Sequence, residues 1–328
     1  MGAALALGSR GQGLTRPNPC VGCVIVCDGR VVGRGWTQPG GRPHAEAMAV
    51  AEAGDAARGA TAYVTLEPCV APRRGPACAD VLIDAGIARV VAAIGDPFAA
   101  VDGKGFDQLR AAGIAVAVGP GAVEAARSMA GFLTRQRLGR PHVTLKLALS
   151  LEGAAAMADG RSQWITGPEA RAHAHLERAR TDAILVGRGT WEMDQPRLDV
   201  RLSGLEGRGP SIYCLSARQD AKTPTGLSEA KPSRLGGFAR LISSPSAIAE
   251  LEADWLLVEG GMATAASFLR EDLVDRLILY RAPVLIGGGR TLPDMGLADL
   301  ADAHGRWSHG DTRRLGSDTL DVYECIRG

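Results

Sequence analysis

His44 and Glu46, followed further along by Cys69 and Cys78, are the residues of this chain whose types and order can do chemistry. An imidazole and two thiolates are a ligand set that zinc favours, and three protein ligands leave a fourth tetrahedral position for water. An open site of that kind lowers the pKa of the water toward neutrality and makes a nucleophile available. Glu46 stands two residues past His44, at the start of the helical pattern AEAMAVAEAG, where it can face the water without ligating the metal. The expected metal ligands are His44, Cys69 and Cys78, with Glu46 as the proton carrier. The other reading is a closed, purely structural zinc site with Glu46 as a solvated helix residue, but the pattern offers no obvious fourth ligand. Cys20-Val-Gly-Cys23, with Cys27 beyond it, is a rival metal motif without a matching second pair. Buried thiols acting as small hydrophobes are expected there instead.

The second half carries a different signal. Lys146 alternates with apolar neighbours in HVTLKLAL, and a lysine inside a buried strand needs a partner or a function. Glu259, in Glu259-Gly260-Gly261, is its expected partner or co-worker. Glycines after an apolar strand and before a helix let a phosphate approach backbone amides. Gly187-Arg188-Gly189-Thr190 repeats that arrangement, with Asp194 and Pro196 just after it. Neither segment matches the dinucleotide fingerprint, so taken alone each is a tight turn.

These residues sit in an alternating pattern of strands and helices. Val21–Val26 and Arg30–Gly35 flank an Asp28-Gly29 turn, a hairpin signal. The helix at His44, a strand at 62–67, a helix near 76–86, a strand at 88–94, a helix at 104–112 and a strand at 114–118 follow. This is a layered α/β domain around a largely buried sheet. A helical stretch at 121–137 leads to Gly139-Arg140-Pro141, where the pattern restarts. Strands are expected at 142–149, 183–187, 211–215, 239–242 and 255–261, then a helix at 263–271 and a strand through VDRLILYRAPVLIGG. Helix is also expected from Pro168. The Ser/Gly/Pro-rich segment 203–237 reads as loops within one domain. Two domains are expected, 1–139 and 140–328, as the length of 328 residues allows.

Composition excludes other classes. Basic and acidic residues nearly cancel, 37 against 36, and no dense Lys/Arg block offers a face for phosphate backbones, so nucleic acid is not an expected partner. Aromatic residues at 4% leave little to hold a flipped base's strand. The apolar runs are too short to span a membrane, and MGAALALGSRG is not built as a secretion signal. The expected location is the cytoplasm, where seven cysteines serve as metal ligands or free thiols rather than disulfides.

Zinc nucleobase deaminases carry His-x-Glu followed downstream by Pro-Cys and a further Cys. Taken with the second half, the chain resembles the bifunctional riboflavin-biosynthesis deaminase–reductases over essentially its whole length. The first half matches through PNPCVGCVIV (17–26), PHAE (43–46), TLEPC (65–69), Cys78 and the DP…V-x-G-x-G segment at 96–105. The second half matches through LKLALSLEG (145–153), SQWIT (162–166), VGRGT (186–190), D-x-P-x-L-x-x-R (194–201) and VEGG (258–261).

The resemblance implies a cytidine-deaminase-like three-layer α/β/α domain followed by a dihydrofolate-reductase-like α/β domain that mediates homo-oligomerisation. It implies two reactions on a small phosphorylated aminopyrimidine. The first is zinc-dependent hydrolysis of the 2-amino group of 2,5-diamino-6-ribosylamino-4(3H)-pyrimidinone 5′-phosphate. The second is NADPH-dependent reduction of the ribosylamino group to ribitylamino. Glu46, Lys146 and Glu259 are the expected catalytic residues. By matching positions, NADPH is expected at Thr190, Asp194, Ser216 and the segment from Gly261, with Ala148 and Trp164 beside it. Substrate is expected at Asn18, Ser162, Arg178, Leu198, Arg201 and Glu259, with Arg178 and Arg201 suited to its phosphate. Without the resemblance, Asn18 is a turn residue, Arg178 a surface charge on its helix, and Trp164 equally well a core aromatic.

Three stretches depart from the family pattern: Val70–Ala77 between the cysteines, Leu151-Glu-Gly-Ala154, and Asp194-Gln195-Pro196. In the first, Arg73 and Arg74 offer guanidinium groups for a phosphate. These departures motivate a second reading, a diverged zinc deaminase of another aminopyrimidine with an altered or silent reductase domain.

Overall fold

A computed structural model describes residues 1–71, 75–216, 227–229 and 239–327. The chain forms two compact units, Met1–Gly139 and Arg140–Gly328. In the first, α1 (Gly2–Gly8) precedes β1 (Gly22–Cys27) and β2 (Arg30–Trp36). Then come α2 (Ala45–Ala53), β3 (Thr61–Leu66), α3 (Cys78–Asp84), β4 (Arg89–Ile94), α4 (Lys104–Ala111), β5 (Ala115–Val118), α5 (Ala122–Ser128) and α6 (Ala130–Leu138). The sheet order is β2-β1-β3-β4-β5. β1 pairs antiparallel with β2 and β3, whereas β3, β4 and β5 run parallel. Helices α2, α3 and α4 touch in sequence, while α1 and α5 touch each other, so the sheet lies between two helical layers. The Asp28-Gly29 turn takes positive φ at both residues (47° and 75°), the geometry of a two-residue hairpin loop.

The packing of α2 is what places the chemical residues. Ala45, Ala49 and Ala53 recur one helical turn apart and are all buried. They face two strand glycines spaced by two. A Cβ on Gly33 would lie 2.1 Å from the carbonyl oxygen of Ala49, and one on Gly35 would lie 2.0 Å from that of Ala45. The helix therefore lies directly on the β2 backbone, an approach that only glycine permits. That contact fixes the first turn of α2, with His44 as its N-cap residue and Glu46 inside it.

The second unit holds β6 (His142–Leu149), α7 (Pro168–Ala179), β7 (Ala183–Gly187), α8 (Arg188–Asp194), β8 (Ser211–Leu215), β9 (Leu227–Glu229) and β10 (Arg240–Ile242). β11 (Trp255–Val258), α9 (Met262–Arg270), β12 (Arg276–Arg281), β13 (Trp307–Leu315) and β14 (Asp318–Cys325) complete it. The sheet order is β13-β14-β12-β6-β11-β7-β8-β10-β9. Strands β12, β6, β11, β7, β8 and β10 are parallel neighbours, so their carboxyl ends share one edge. The near-continuous apolar character of β7 and β11 is what a parallel strand covered on both faces requires. Arg140 begins the unit and is pinned by a bidentate pair with buried Asp275 (2.6 and 2.9 Å).

Some elements differ from the sequence expectations. The helical stretch at 121–137 is two helices that break at Met129, which has left helical geometry (φ −112°, ψ 16°). The strand expected to run through VDRLILYRAPVLIGG ends at Arg281, because Pro283 and the glycines at 287–289 follow. The terminal hairpin of β13 and β14 has no counterpart in the sequence reading. β13 is an edge strand whose residues are mostly exposed on both faces, so no apolar alternation marks it. The segment 203–237 is described only at 203–216 and 227–229.

Candidate active sites

In the first unit, His44 caps α2, Cys69 follows β3 through Glu67-Pro68, and Cys78 opens α3. One ligand atom from each lies within 4.8 Å of the others. Nδ1 of His44 is 3.2 Å from Sγ of Cys78 and 3.6 Å from Sγ of Cys69. A tetrahedral zinc with Zn–S near 2.3 Å and Zn–N near 2.0 Å has N···S edges of about 3.5 Å, so the donor set fits the metal. The backbone N–H of Cys78 donates to Sγ of Cys69 at 3.4 Å. That sulfur is pulled down to about 4, first by the Cys78 thiol, then by His44 and by the same N–H, against the effect of burial. A thiolate is therefore ready for a metal. Among the described residues no metal-sized group includes Cys20, Cys23 or Cys27. Cys20 and Cys23 are buried, as small hydrophobes are, and Cys27 is half-buried.

Glu46 is 3% exposed. It is therefore not a solvated helix residue. Burial pushes its carboxyl up, and the nearby His44 works in the opposite direction. Asn18 lies behind the imidazole, its amide 2.8 Å from Nε2 of His44 and donating to the carbonyl of Gly41 at 2.9 Å. That contact orients the ring from its outer edge. Asn18, His44 and Glu46 all border one cavity of about 310 Å³, with Asp96, Phe98 and Phe132 on its other walls.

Sequence reasoning missed the group that builds those walls. The buried carboxylate of Glu67 accepts backbone N–H bonds from Asp96 (3.2 Å), Gly103 (3.1 Å), Gly105 (2.8 Å) and Phe106 (3.4 Å). A Cβ on Gly105 would meet the carbonyl of Pro68 at 2.1 Å, which explains the glycine in the V-x-G-x-G segment. Glu67 thus ties the metal-bearing strand end to the loop of Asp96 and Phe98. Burial pushes Asp96 up to about 6. The quoted motifs TLEPC and DP…V-x-G-x-G contain these residues, but residue type alone does not show that one organises the other.

In the second unit, Val258 pairs with Leu145, so the register sets Glu259 beside Lys146. Nζ of Lys146 is 3.5 Å from Oε2 of Glu259 and 5.8 Å from the centroid of the Tyr280 ring. Arg178, from α7, grips Glu259 with two nitrogens at 2.6 and 2.9 Å and donates its third to the carbonyl of Asp199. Burial alone would push Glu259 up, but Arg178 and Lys146 hold it down at about 2. Arg178 is therefore neither a surface charge nor a free phosphate clamp, because its fork is spent on Glu259. The Tyr280 hydroxyl lies 2.8 Å from Nδ1 of His173 below this cluster.

Thr190, Asp194, Ser162 and Gly261 line a second cavity of about 550 Å³ at the carboxyl edge of the sheet. Ser216 directly follows Leu215 in its wall. Such a volume lies in the range of small-molecule sites, roughly 300–1,000 Å³. Gly261 caps the nine-residue α9, whose N-terminus suits a pyrophosphate, and Arg188 and Arg290 add positive charge. These residues fit a dinucleotide. Ser162 donates to Asp194, whose carboxyl burial pushes up.

Four expected residues fall elsewhere. Ala148 lies on β6, outside the lining of this cavity. Trp164 is 65% exposed with Arg171 stacked 4.9 Å from its ring centroid, so it is not a core aromatic. Leu198 is 3% exposed and packs with Ile184 and Trp191 in the core, so its side chain does not face a substrate. Arg201 is an exposed cation 3.2 Å from Asp199. Arg73 and Arg74 lie outside the described residues. One of the three departing stretches, 151–154, has a structural account. Glu152 accepts N–H bonds from Ile286 (2.6 Å) and Gly287 (2.9 Å), and buried Ala154 leaves room for Gly289, whose Cβ position is 2.7 Å from the Ala154 side chain.

Known proteins share this plan. The family described as cytidine and deoxycytidylate deaminase zinc-binding region matches residues 1–94, and the RibD C-terminal domain matches 141–319. Riboflavin biosynthesis protein RibD of Escherichia coli (strain K12) is 40% identical, covering 97% of this chain and 96% of its own length. That of Aquifex aeolicus is 39% identical, covering 92% of this chain and 91% of its own. The solved structure of Acinetobacter baumannii RibD superimposes with a TM-score of 0.86 at 33% identity, covering 99% of this chain and 97% of that one. The Thermotoga maritima diaminohydroxyphosphoribosylaminopyrimidine deaminase/5-amino-6-(5-phosphoribosylamino)uracil reductase gives 0.87 at 31% identity, with the same coverage. With a deaminase zinc region at its start, a reductase domain behind it, and relatives matched over nearly their full length, the chain belongs to the RibD family of riboflavin-biosynthesis proteins.

Proposed function

We propose that this chain deaminates 2,5-diamino-6-ribosylamino-4(3H)-pyrimidinone 5′-phosphate in its first unit and reduces the ribosylamino group in its second. The observation that carries the reading is the His44–Cys69–Cys78 cluster with Glu46 buried against it, at the wall of a cavity large enough for a pyrimidine.

Zinc, when bound, supplies the Lewis acidity that lets a water lose its proton near neutral pH. His44, Cys69 and Cys78 hold it. Glu46 takes one proton from the water and delivers it to the ring nitrogen next to the attacked carbon, then takes the second from the hydroxyl now on that carbon and gives it to the amino group, which leaves as ammonia while the carbonyl forms. Its buried position suits that work, since a carboxyl with a raised pKa can accept and return a proton at neutral pH. Asn18 orients His44 and borders the space for the pyrimidine ring.

NADPH, when bound, supplies the hydride for C1′ of the sugar. Thr190, Asp194, Ser216 and the helix start at Gly261 hold it. Hydride addition at C1′ breaks the C1′–O4′ bond, and O4′ must then take a proton. Lys146 is placed to give that proton, because its long contact with Glu259 leaves further N–H bonds of the ammonium uncommitted. Glu259 holds the Lys146 head group in place through their ion pair, and Arg178 acts through Glu259 as a positioning residue. Phosphate binding falls to Arg201, whose head group is exposed. We place the enzyme in the cytoplasm as a homo-oligomer joined through the second unit, and the family resemblance carries both points. No helix among the described residues is long and apolar enough to cross a membrane.

Metal removal tests the division of labour. Stripping zinc with a chelator is expected to abolish ammonia release while NADPH binding, read by its fluorescence, stays unchanged, and added zinc restores turnover. Ammonia release that survives in metal-free protein would sink the zinc assignment.

A further inference from the structure

The cavity of the first unit is bordered by a cation that the deamination chemistry does not use. Among the described residues, Arg42 is the only Arg or Lys on its wall. It stands two residues before His44, in extended backbone (φ −150°, ψ 150°), and its side chain is half-buried. Nη1 lies 3.3 Å from the Cβ position of Gly75, so the guanidinium rests against the segment that joins Cys69 to Cys78. Ala71, from the same segment, borders the same cavity.

A guanidinium that gives up water ordinarily has an anion beside it to offset the loss. Arg178 and Arg276 follow that rule, held by Glu259 at 2.6 Å and by Glu177 at 2.8 Å. Arg42 does not: among the described residues it has neither an ion pair nor a side-chain hydrogen bond. The stretch between the cysteines, Val70–Ala77, contains Arg73 and Arg74 and no carboxylate to pair with it. The acids of the cavity wall are engaged elsewhere, Glu67 and Asp96 with backbone N–H groups and Glu46 beside the metal ligands. The substrate supplies the missing anion. Its C2 must lie at the metal, and the ribosylamino group leaves the ring at C6, with N1 between them. The ribose then sets the 5′-phosphate one sugar away from the ring, clear of the zinc ligands. Two residues with one between them have Cα atoms within about 7.6 Å, so Arg42 starts close to His44 and its long side chain covers the remaining span.

We propose that Arg42 binds the 5′-phosphate of the aminopyrimidine in the first unit and makes deamination selective for the phosphorylated compound; this rests on the reading of that unit as an aminopyrimidine deaminase. A guanidinium fork matches two phosphate oxygens, and no carboxylate competes for this one. The phosphate is remote from the reacting carbon, so the contact is the same in the ground state and in the transition state. Its loss therefore appears in KM and leaves kcat in place.

Ammonia release is measured in full-length, zinc-replete protein and in its Arg42→Gln, Arg42→Lys and Arg137→Gln variants. Each is given the phosphorylated substrate and the same compound without its phosphate. Arg42→Gln is expected to raise KM for the phosphorylated substrate by about tenfold to a hundredfold, the worth of a hydrogen bond to a charged group, with kcat held within about twofold. For the compound without phosphate, kcat/KM moves by less than about threefold, since the lost contact was never made. Arg42→Lys keeps the charge and recovers part of the loss. Arg137→Gln removes an exposed charge outside the cavity and changes neither substrate. Ribose 5-phosphate competes with the substrate in wild-type protein and not in Arg42→Gln. Equal loss on both compounds, no change on either, or loss of zinc from Arg42→Gln overturns the inference. Wild-type protein that deaminates both compounds equally well overturns it too but leaves the deaminase reading standing, whereas wild-type protein that releases ammonia from neither removes both.

Discussion

Replacing Glu46 with Gln is expected to lower ammonia release by about 10³-fold or more while zinc content stays at wild-type level, in line with losing a general acid–base that works in several steps. The glutamine has the same shape but cannot carry a proton. Glu46 lies in the first turn of α2, and that turn is fixed by Ala45 and Ala49 resting on the β2 glycines, not by the carboxylate. Cys78, whose side chain hydrogen-bonds to the Glu46 carboxyl, keeps an amide neighbour in the variant and stays grouped with His44 and Cys69. The protein should therefore fold, bind zinc and fail only in chemistry. Metal analysis beside an ammonia assay separates the outcomes. Undiminished turnover would end the assignment of Glu46 as proton carrier. Loss of zinc together with turnover would make the residue structural.

The second large effect belongs to the other unit. Lys146→Ala is expected to reduce hydride transfer by about 10²-fold to 10⁴-fold, the usual worth of a positioned acid, with ammonia release intact. Glu259 keeps its bidentate Arg178 partner in this variant, so no buried carboxylate is left bare. Glu259→Ala is the harsher change. It strands Lys146 and Arg178 together in a half-buried place, and stability should fall along with reduction. The two active sites lie in separate compact units, so neither change should reach the zinc centre. Parallel loss of both activities in Lys146→Ala would argue against two independent sites.

The zinc centre was legible because metal ligation demands particular residue types in a particular order, and His44, Glu46, Cys69 and Cys78 have few other uses in that pattern. The surface that holds α2 was legible in principle: alanines at 45, 49 and 53 oppose glycines at 33 and 35, a small-on-small match of helical and strand periods. Glu67 was not, since a glutamate gathering backbone N–H groups from 29 to 39 residues away has no local signature. Asp96, Phe98 and Phe132 meet at the cavity only through the fold. In the second unit, the oddity of a lysine in an apolar strand pointed to the Lys146–Glu259 pair. Arg178 could not be resolved in the same way. Whether its fork meets a phosphate or a carboxylate depends on how α7 crosses the sheet. Leu198 went to the core and Trp164 to the surface for a similar reason, as long-range packing decides burial where the local pattern is irregular.

The most direct test of two consecutive reactions in one chain is mass spectrometry of products. Zinc-replete protein is incubated with the diaminopyrimidinone ribosylamine phosphate, with and without NADPH. The expected result is the deaminated ribosylamino compound alone without NADPH, and its ribitylamino product when NADPH is present. Deamination that stops at the ribosylamino compound in both tubes, or no reaction in protein with zinc confirmed, would contradict it.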